Sequence, residues 1–229
     1  MRRFMHAVPM FALPRTVLFA VSLSSLAIVS GCASASHKQK GGAIGAAAGG
    51  AVGGLIGRNN GSTSRGAIIG AVVGGATGAV IGHQMDQQAK ELKVDIPGAT
   101  VERVGEGIQV TFASGLLYDF DTDAIRTDAA ENLRNLATSL NKYPKTELVI
   151  VGHTDALGST AYNQALSIRR ANAASAYLVS QGVTTSRVRT AGKGELEALA
   201  PNETEAGRQA NRRIEVAIFA NASARTASR

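Results

Sequence analysis

Asp155 and Arg170 are the residues of this 229-residue chain whose types and setting most invite chemistry. Arg170 belongs to Ala161–Ser180, a stretch with helical periodicity. There Asn163, Leu166, Arg170, Ala174 and Tyr177 fall at i, i+3, i+7, i+11 and i+14 and share one face. The later half of that face is core-like, while the earlier half carries an amide and a guanidinium. An arginine on a largely buried face needs an anion, because an unpaired buried charge costs several kcal/mol. The nearest anion in sequence is Asp155, just after Val151-Gly152-His153. With Gly152, Gly158 and Ser159 around it, it fits a strand-to-helix loop at the carboxyl end of a sheet, a common place for ligands. Two arrangements satisfy the pattern. Either the two side chains form a structural ion pair, or each faces an opposite charge on a ligand in an open site.

Other chemistries find little support. His153 stands without a second His, Cys or carboxylate at ligand spacing, and His37 and His83 are isolated, so no metal site is expected. No Ser-His-Asp arrangement and no phosphate-binding Gly-Lys loop occurs, so neither catalysis nor a cofactor is expected. Arg212 and Arg213 open the last strand and are expected to brace the sheet against acidic side chains. The formal charge of +7 resembles a nucleic-acid signal but dissolves by region. Arg2, Arg3 and Arg15 lie in a leader expected to be removed, and taking these three from 24 basic residues leaves 21 against 17 acidic. From residue 100 onward the count is 15 basic to 14 acidic, with no basic stripe or aromatic platform for nucleic acid.

The elements around these residues are uneven in texture. Residues 1–31 read as a secretory leader, with a basic start and an apolar run at Val17–Val29 too short to span a bilayer. Met5 or Met10 could also initiate it. Val29-Ser30-Gly31-Cys32 resembles a bacterial lipobox, which implies acylation of Cys32 with chains such as palmitate. Several such chains hold a protein to a membrane, at about 0.8 kcal/mol per buried CH2. Ala33 after the cysteine points to the outer membrane, as in lipoproteins generally. Residues 32–40 form a polar tether.

Residues 41–82 follow, with Gly41, Gly45, Gly49, Gly53 and Gly57 and then Gly66, Gly70, Gly74, Gly78 and Gly82, all at four-residue spacing. In water glycine disfavours a helix by about 1 kcal/mol relative to alanine. An unstructured linker would explain the composition, but not glycines in register along one helical face. That register favours a helical hairpin whose arms approach closely in lipid, as small-xxx-small patterns do. Each arm, of roughly 25 Å at 1.5 Å per residue, suits a thin bilayer. The hairpin could also mediate homo-oligomers. Residues 83–99 read as a linker, of which 83–93 is polar and helix-compatible before Pro97-Gly98 breaks the pattern, and 222–229 as a disordered tail.

Residues 100–221 have the texture of an α/β domain. Val101–Val104 and Ile108–Phe112 flank Gly105-Glu106-Gly107, a hairpin signal. Ile125, Ala129, Leu133, Leu136, Ala137 and Leu140 repeat at helical spacing, ending before Pro144. Leu148–Val151, Arg187–Ala191 and Arg213–Phe219 read as strands. The order is β-α-β-α-β-(short helix)-β, an α+β sandwich.

The run Gly152-His153-Thr154-Asp155-Ala156-Leu157-Gly158-Ser159-Thr160-Ala161-Tyr162-Asn163-Gln164-Ala165-Leu166-Ser167-Ile168-Arg169-Arg170-Ala171 closely resembles the signature of the OmpA-like peptidoglycan-binding domain. Tyr118-Asp119-Phe120-Asp121 and Asn211-Arg212-Arg213-Ile214 extend the resemblance in order and spacing over about residues 100–220. The resemblance implies binding of the peptidoglycan peptide stem at diaminopimelate. Asp155 would then accept from the diaminopimelate ammonium, and Arg170 would clamp the adjacent carboxylate bidentately, a geometry lysine cannot supply. Asp121 would line the pocket and Thr154, Asn163 and Leu166 would complete it. Acidic residues crowd positions 119–123, and position 174 is a small alanine. The implied whole is a lipid-anchored outer-membrane protein with its domain in the periplasm, tethering membrane to wall. The rival is an assembly or regulatory module that binds a protein partner, with the glycine hairpin as its oligomerisation element.

Overall fold

In a computed structural model, residues 62–73, 79–119 and 121–227 are described. The leader, Cys32, the tether and the first glycine run lie outside the described residues.

Strand patterning gives the sheet. β1 (Thr100–Val104) and β2 (Gly107–Ala113) form the expected hairpin. β3 (Thr146–Gly152), β4 (Val188–Gly192) and β5 (Arg213–Ala220) complete a five-stranded sheet ordered β1-β2-β5-β3-β4. β3 and β4 run parallel and the other neighbours antiparallel. Alternation sends Ile214, Val216 and Ile218 of β5 to one face and Ala217 and Phe219 to the other. Every residue of β5 is buried, as expected of a central strand covered on both sides.

The main core lies on the first face, under α2 (Ala79–Asp95), α4 (Ala130–Lys142) and α5 (Thr160–Ser180), with the short α3 (Ser114–Leu117) after β2. α4 buries Leu133, Leu136 and Leu140, each contributing about 1.5–3 kcal/mol when fully removed from water. On the opposite face α1 (Thr63–Val73) packs Ala67, Ile68 and Ala71 against Ala217 and Phe219. α6 (Glu205–Asn211) leads into β5, and α7 (Ala222–Ala227) follows it.

Gly152 lets α5 settle on the end of β3, since a Cβ there would lie 2.1 Å from the Ser167 carbonyl oxygen. The loop 153–159 is thereby held beside the first turn of α5. Ser159 caps that helix, its hydroxyl accepting from the Tyr162 amide at 3.2 Å.

Several boundaries differ from the sequence expectations. The first long helix of the domain was expected from Ile125 but begins at Ala130. Ile125 instead pairs with Tyr118 in an isolated antiparallel bridge, and the Arg126 amide donates to the Leu117 carbonyl at 3.0 Å. Residues 83–99, expected as a linker with a helix-compatible part at 83–93, are helical to Asp95, but packed into the core and not a linker. Ile81, Met85, Ala89, Leu92 and Ile96 are buried at helical spacing, so α2 is an amphipathic part of the core. The second glycine run, expected as one arm, is described as parts of two helices, α1 and α2, both packed on the domain. The tail expected at 222–229 is helical to Ala227. Ala224 is buried there, and the Arg225 guanidinium donates to the Ala220 carbonyl. Among the described residues, no helix is long and apolar enough to cross a membrane.

Candidate functional site

A cleft of about 300 Å³ opens where the loop after α3, the loop after β3, α5 and the start of β5 converge. Its walls include Ser114, Tyr118, Leu157, Arg170, Glu205 and Arg212.

Arg170 reaches it from the middle of α5. The residue is 4% exposed, its guanidinium 5.4 Å from the centre of the Tyr118 ring. That distance suits a cation–π contact. Nε donates to the Thr122 carbonyl at 2.8 Å, while among the described residues neither Nη has a hydrogen-bond acceptor. Burial works against the Arg170 charge, opposed by Tyr118, Asp121, Tyr162 and Asp123. Tyr118 is itself fixed, its hydroxyl donating to the Arg170 carbonyl at 2.7 Å and its pKa raised by burial. The guanidinium is therefore held over an aromatic face with its outer edge open. Two donors side by side on that edge have the spacing that a carboxylate can accept bidentately.

Asp155 does not pair with Arg170. Its Oδ2 accepts from Arg212 Nη1 at 2.6 Å, and its Oδ1 from the Leu157 amide at 3.0 Å. The Asp155–Arg170 ion pair considered from sequence is therefore not formed; Arg212, 57 positions away, takes the carboxylate instead. Arg212 continues the network, donating through Nη2 to Glu205 Oε1 at 2.7 Å. Hydrogen bonds from Arg212 and Arg208 hold the Glu205 carboxyl below its usual range. Arg212 was expected to brace the sheet, yet it lines the cleft, because it precedes β5 and is not committed to either face. Arg213 does brace: it is fully buried, with Nε 2.7 Å from Glu215 Oε1 and Nη2 donating to the Glu197 carbonyl at 3.0 Å.

The other residues named from the resemblance are placed less uniformly. Asp121, at φ 59°, is exposed; it accepts from the Tyr162 hydroxyl and acts on Arg170 through charge. Asn163 is buried and donates to Glu195 Oε2 at 2.6 Å. Thr154 is tied by its amide to the Gly194 carbonyl at 2.9 Å, with a buried hydroxyl that has no partner among the described residues. Leu166 is buried. Of the site residues named from the resemblance only Arg170 lines the cleft; Asp155, Asp121, Thr154, Asn163 and Leu166 are not among its lining residues. His153 is buried, its pKa pushed down to about 3 chiefly by that burial and then by Arg213. Among the described residues no group of three or more His, Cys, Asp or Glu could hold a metal.

Sequence reasoning missed four contributors: Ser114, Leu157, Glu205 and the stacking role of Tyr118. Ser114 Oγ is buried without a partner among the described residues and lies in the cleft wall. Leu157, 59% exposed, offers an apolar ledge. A large apolar residue inside a Gly/Ser-rich loop was a visible signal for Leu157; the others have none. Chemically, the cleft offers an open cationic edge, carboxylates of Glu205 and Asp119 nearby, and apolar surface between. That suits a zwitterion on a short aliphatic stem.

Comparison with known proteins bears on the same residues. The OmpA family model matches residues 117–212, a span that contains Tyr118, Asp155, Arg170, Glu205 and Arg212. A peptidoglycan-associated lipoprotein of Brucella melitensis is 34% identical over 116 residues, covering 51% of this chain and 69% of that protein. The chain belongs to the OmpA family. A second model, the YMGG-like Gly-zipper, matches residues 14–86. Among other OmpA-family relatives, outer membrane porin F of Pseudomonas fluorescens is 43% identical over 105 residues, 46% of this chain and 32% of the porin. Probable lipoprotein YiaD of Escherichia coli is 33% identical over 138 residues, 59% of this chain and 63% of that protein. The chain thus spans about a third of the porin and less than two thirds of YiaD. Among solved structures, the cell wall anchor of the T6SS from Pseudomonas aeruginosa aligns with TM-score 0.53 at 27% identity, over 58% of this chain and 97% of that one. A MotB-like protein from Desulfovibrio vulgaris shares the fold, with TM-score 0.57 at 20% identity, over 62% and 92%.

Proposed function

We propose that the cleft binds the peptide stem of peptidoglycan through diaminopimelate, and that this OmpA-family protein tethers the outer membrane to the wall. The observation that carries the reading is the open Nη edge of buried Arg170 at the mouth of a cleft walled by Tyr118 and Leu157. A diaminopimelate carboxylate would meet both Nη atoms end-on, because Nε is already committed to Thr122. Its methylene chain would lie along Leu157 and Tyr118. The ammonium would turn toward the Asp155–Arg212–Glu205 network. Asp155 is engaged by Arg212 and its own loop, but a carboxylate has about four lone-pair sites and can accept a further donor. Asp121 would add negative potential at the rim, while Thr154, Asn163 and Leu166 would act by holding the loop. The names of relatives fit: a peptidoglycan-associated lipoprotein and a cell wall anchor share this domain.

On this reading Cys32 carries the lipid that places the chain in the outer membrane with its domain in the periplasm. Mass spectrometry of the mature N-terminus should find an acylated cysteine; an N-terminus beginning elsewhere removes the anchor from the reading. The binding half is tested by incubating the purified full chain with sacculi and no other protein. Retention on diaminopimelate-containing walls is expected, with much weaker retention on walls whose stems carry lysine, which lacks the second carboxylate. Equal retention on both would overturn the assignment of Arg170 to that carboxylate.

A further inference from the structure

The loop that carries Asp155 and Leu157 is fastened by a side chain outside the lining of the cleft. As the loop leaves β3, the His153 amide donates to the Arg213 carbonyl and the Thr154 amide to the Gly194 carbonyl, both at 2.9 Å. Asp155 then meets Arg212, and the Ala156 amide donates to Asn202 Oδ1 at 3.1 Å. Beyond Ala156 the loop leans on itself. The Leu157 amide donates to Asp155 Oδ1 at 3.0 Å, Gly158 takes φ 95°, and Ser159 caps α5. The Asn202 contact therefore falls inside the Asp155–Leu157 turn, where it joins the outer half of the loop to another segment.

Asn202 is itself firmly aimed. Its Oδ1 also accepts from Asn211 Nδ2 at 2.9 Å. Asn211 is fully buried, and its amide oxygen accepts from the Leu199 and Ala200 amides at 2.7 and 3.0 Å. Its nitrogen donates to the Ala200 carbonyl at 2.8 Å as well as to Asn202. Two donors and two acceptors are thus met, which uses the full capacity of that side chain and fixes which way its amide faces. Arg208 Nη1 adds a bond to the Asn202 carbonyl at 2.9 Å. Gly207 lets α6 close on the same segment, since a Cβ there would lie 1.9 Å from the Pro201 carbonyl oxygen. One stretch of chain therefore sends Asn211 to this relay, Arg212 to the cleft and Arg213 to the core.

We propose that Asn202 is a positioning residue of the cleft. Through Ala156 it sets the turn that presents the Asp155 carboxylate and the Leu157 ledge, and so fixes both relative to Arg170 before a ligand binds. A loop already ordered does not have to be ordered during binding, and the affinity gained is that of preorganisation. The ligand in this inference is that of the peptidoglycan reading, on which it rests; the relay itself does not depend on that reading.

Both hydrogen bonds accepted by the Asn202 side chain fall on Oδ1, so Asn202→Asp keeps an acceptor for them and Asn202→Ala removes it. In the purified full chain, Asn202→Ala should speed amide hydrogen exchange in a peptide spanning residues 153–159 at least about fivefold, as loss of one such bond implies. Retention on diaminopimelate-containing sacculi should weaken by a similar factor, with circular dichroism unchanged. Asn202→Asp should stay close to the wild-type chain in both measurements. Unchanged exchange in Asn202→Ala would overturn the relay, and faster exchange with undiminished retention would overturn the positioning role. Equal losses in the two variants would overturn the role of the acceptor. Failure of the wild-type chain to bind sacculi would instead remove the peptidoglycan reading, and exchange alone would then decide the relay.

Discussion

Arg212 and Arg213 are neighbours in sequence, yet they end in opposite situations. Arg213 is enclosed: Glu215, the Asn211 carbonyl and the Glu197 carbonyl take up its donors beneath α1. Arg212 stands at the cleft mouth, held by Asp155 and Glu205 but partly exposed. Beside it Arg170 is buried and yet unfinished, with both Nη atoms lacking an acceptor among the described residues. The comparison separates two uses of a buried charge. A fully answered guanidinium reports structure. A buried guanidinium whose outer edge opens on a cleft is free to meet an anion, and on the proposed reading that anion is the ligand.

That distinction can be broken by substitution, and the largest effect is expected where the charge is enclosed. Arg213→Ala strands Glu215 in the interior and should destabilise the domain by about 3–5 kcal/mol, the usual result of removing one partner of a buried pair. Thermal unfolding followed by circular dichroism measures it. Sacculus binding well below the lowered Tm should persist, and a loss of binding in the folded state would show that the two arginines are not separable.

Arg170→Ala should do the reverse. It removes a buried charge whose ligand-facing edge has no protein acceptor, so Tm should move little, while truncation of a charge-assisted contact typically costs about 2–5 kcal/mol of binding. The lower figure corresponds to roughly a thirtyfold loss of sacculus affinity. Arg170→Lys sharpens the point, because it keeps the charge and loses the planar fork. Wild-type binding by the lysine variant would exclude bidentate recognition even if the cleft is correct.

An intermediate effect is expected from acid on α1, which meets Glu215 through the Ser64 hydroxyl. Burial raises the Glu215 pKa, but Arg213 and the Ser64 hydroxyl, joined by His153 only where it is protonated, towards about pH 3, outweigh it and leave the carboxyl below its ordinary 4.5. A carboxyl with a depressed folded pKa contributes stability that is complete above its unfolded value and is lost as pH falls through the folded one. Glu197, Lys193 and Arg213 share the same cluster. Labelling at Ala217→Cys by 2,2′-dithiodipyridine, which still reacts with thiols in acid where maleimides do not, should therefore stay slow at neutral pH and rise as pH falls below 4.5, before far-UV circular dichroism changes. Labelling that rises only together with global unfolding would mean that α1 and the domain open as one unit.

The legibility of these features from sequence follows the range of the interactions. Alternation in Ile214, Val216 and Ile218 is local, and β5 is where it was expected. The face shared by Asn163, Leu166 and Arg170 is likewise local, and Arg170 is buried as that face required. The partner of Asp155 was not legible, because Arg212 lies 57 positions away and a nearer arginine competed for the assignment. Helix α2 was legible in principle from Ile81, Met85, Ala89, Leu92 and Ile96. The glycine rhythm ending at Gly82 drew a boundary through the middle of that pattern. The seat of α1 had no sequence signal, since small residues at four-residue spacing fit a sheet face as well as another helix.

The smallest effect is expected at Glu205, and it tests whether the ion network at the cleft is scaffold or ligand contact. Glu205 makes two ion pairs, with Arg212 at 2.7 Å and Arg208 at 2.8 Å, but its side chain is 64% exposed. Exposed pairs contribute little to stability and are weakened further by salt. Glu205→Gln retains an acceptor for Arg212 and removes one negative charge from the cleft. If Glu205 merely steadies Arg212, binding to sacculi should change by no more than about threefold, with a smaller difference at high salt. If the ligand ammonium sits against Glu205 instead of Asp155, the loss should approach that of Arg170→Ala, and Asp155→Asn should then be the mild variant. Measuring both substitutions at two ionic strengths decides which carboxylate faces the ammonium. Both carboxylates have both oxygens engaged, so burial is what separates them: the Asp155 side chain is 9% exposed and that of Glu205 64%, which makes the charge of Asp155 the less screened of the two.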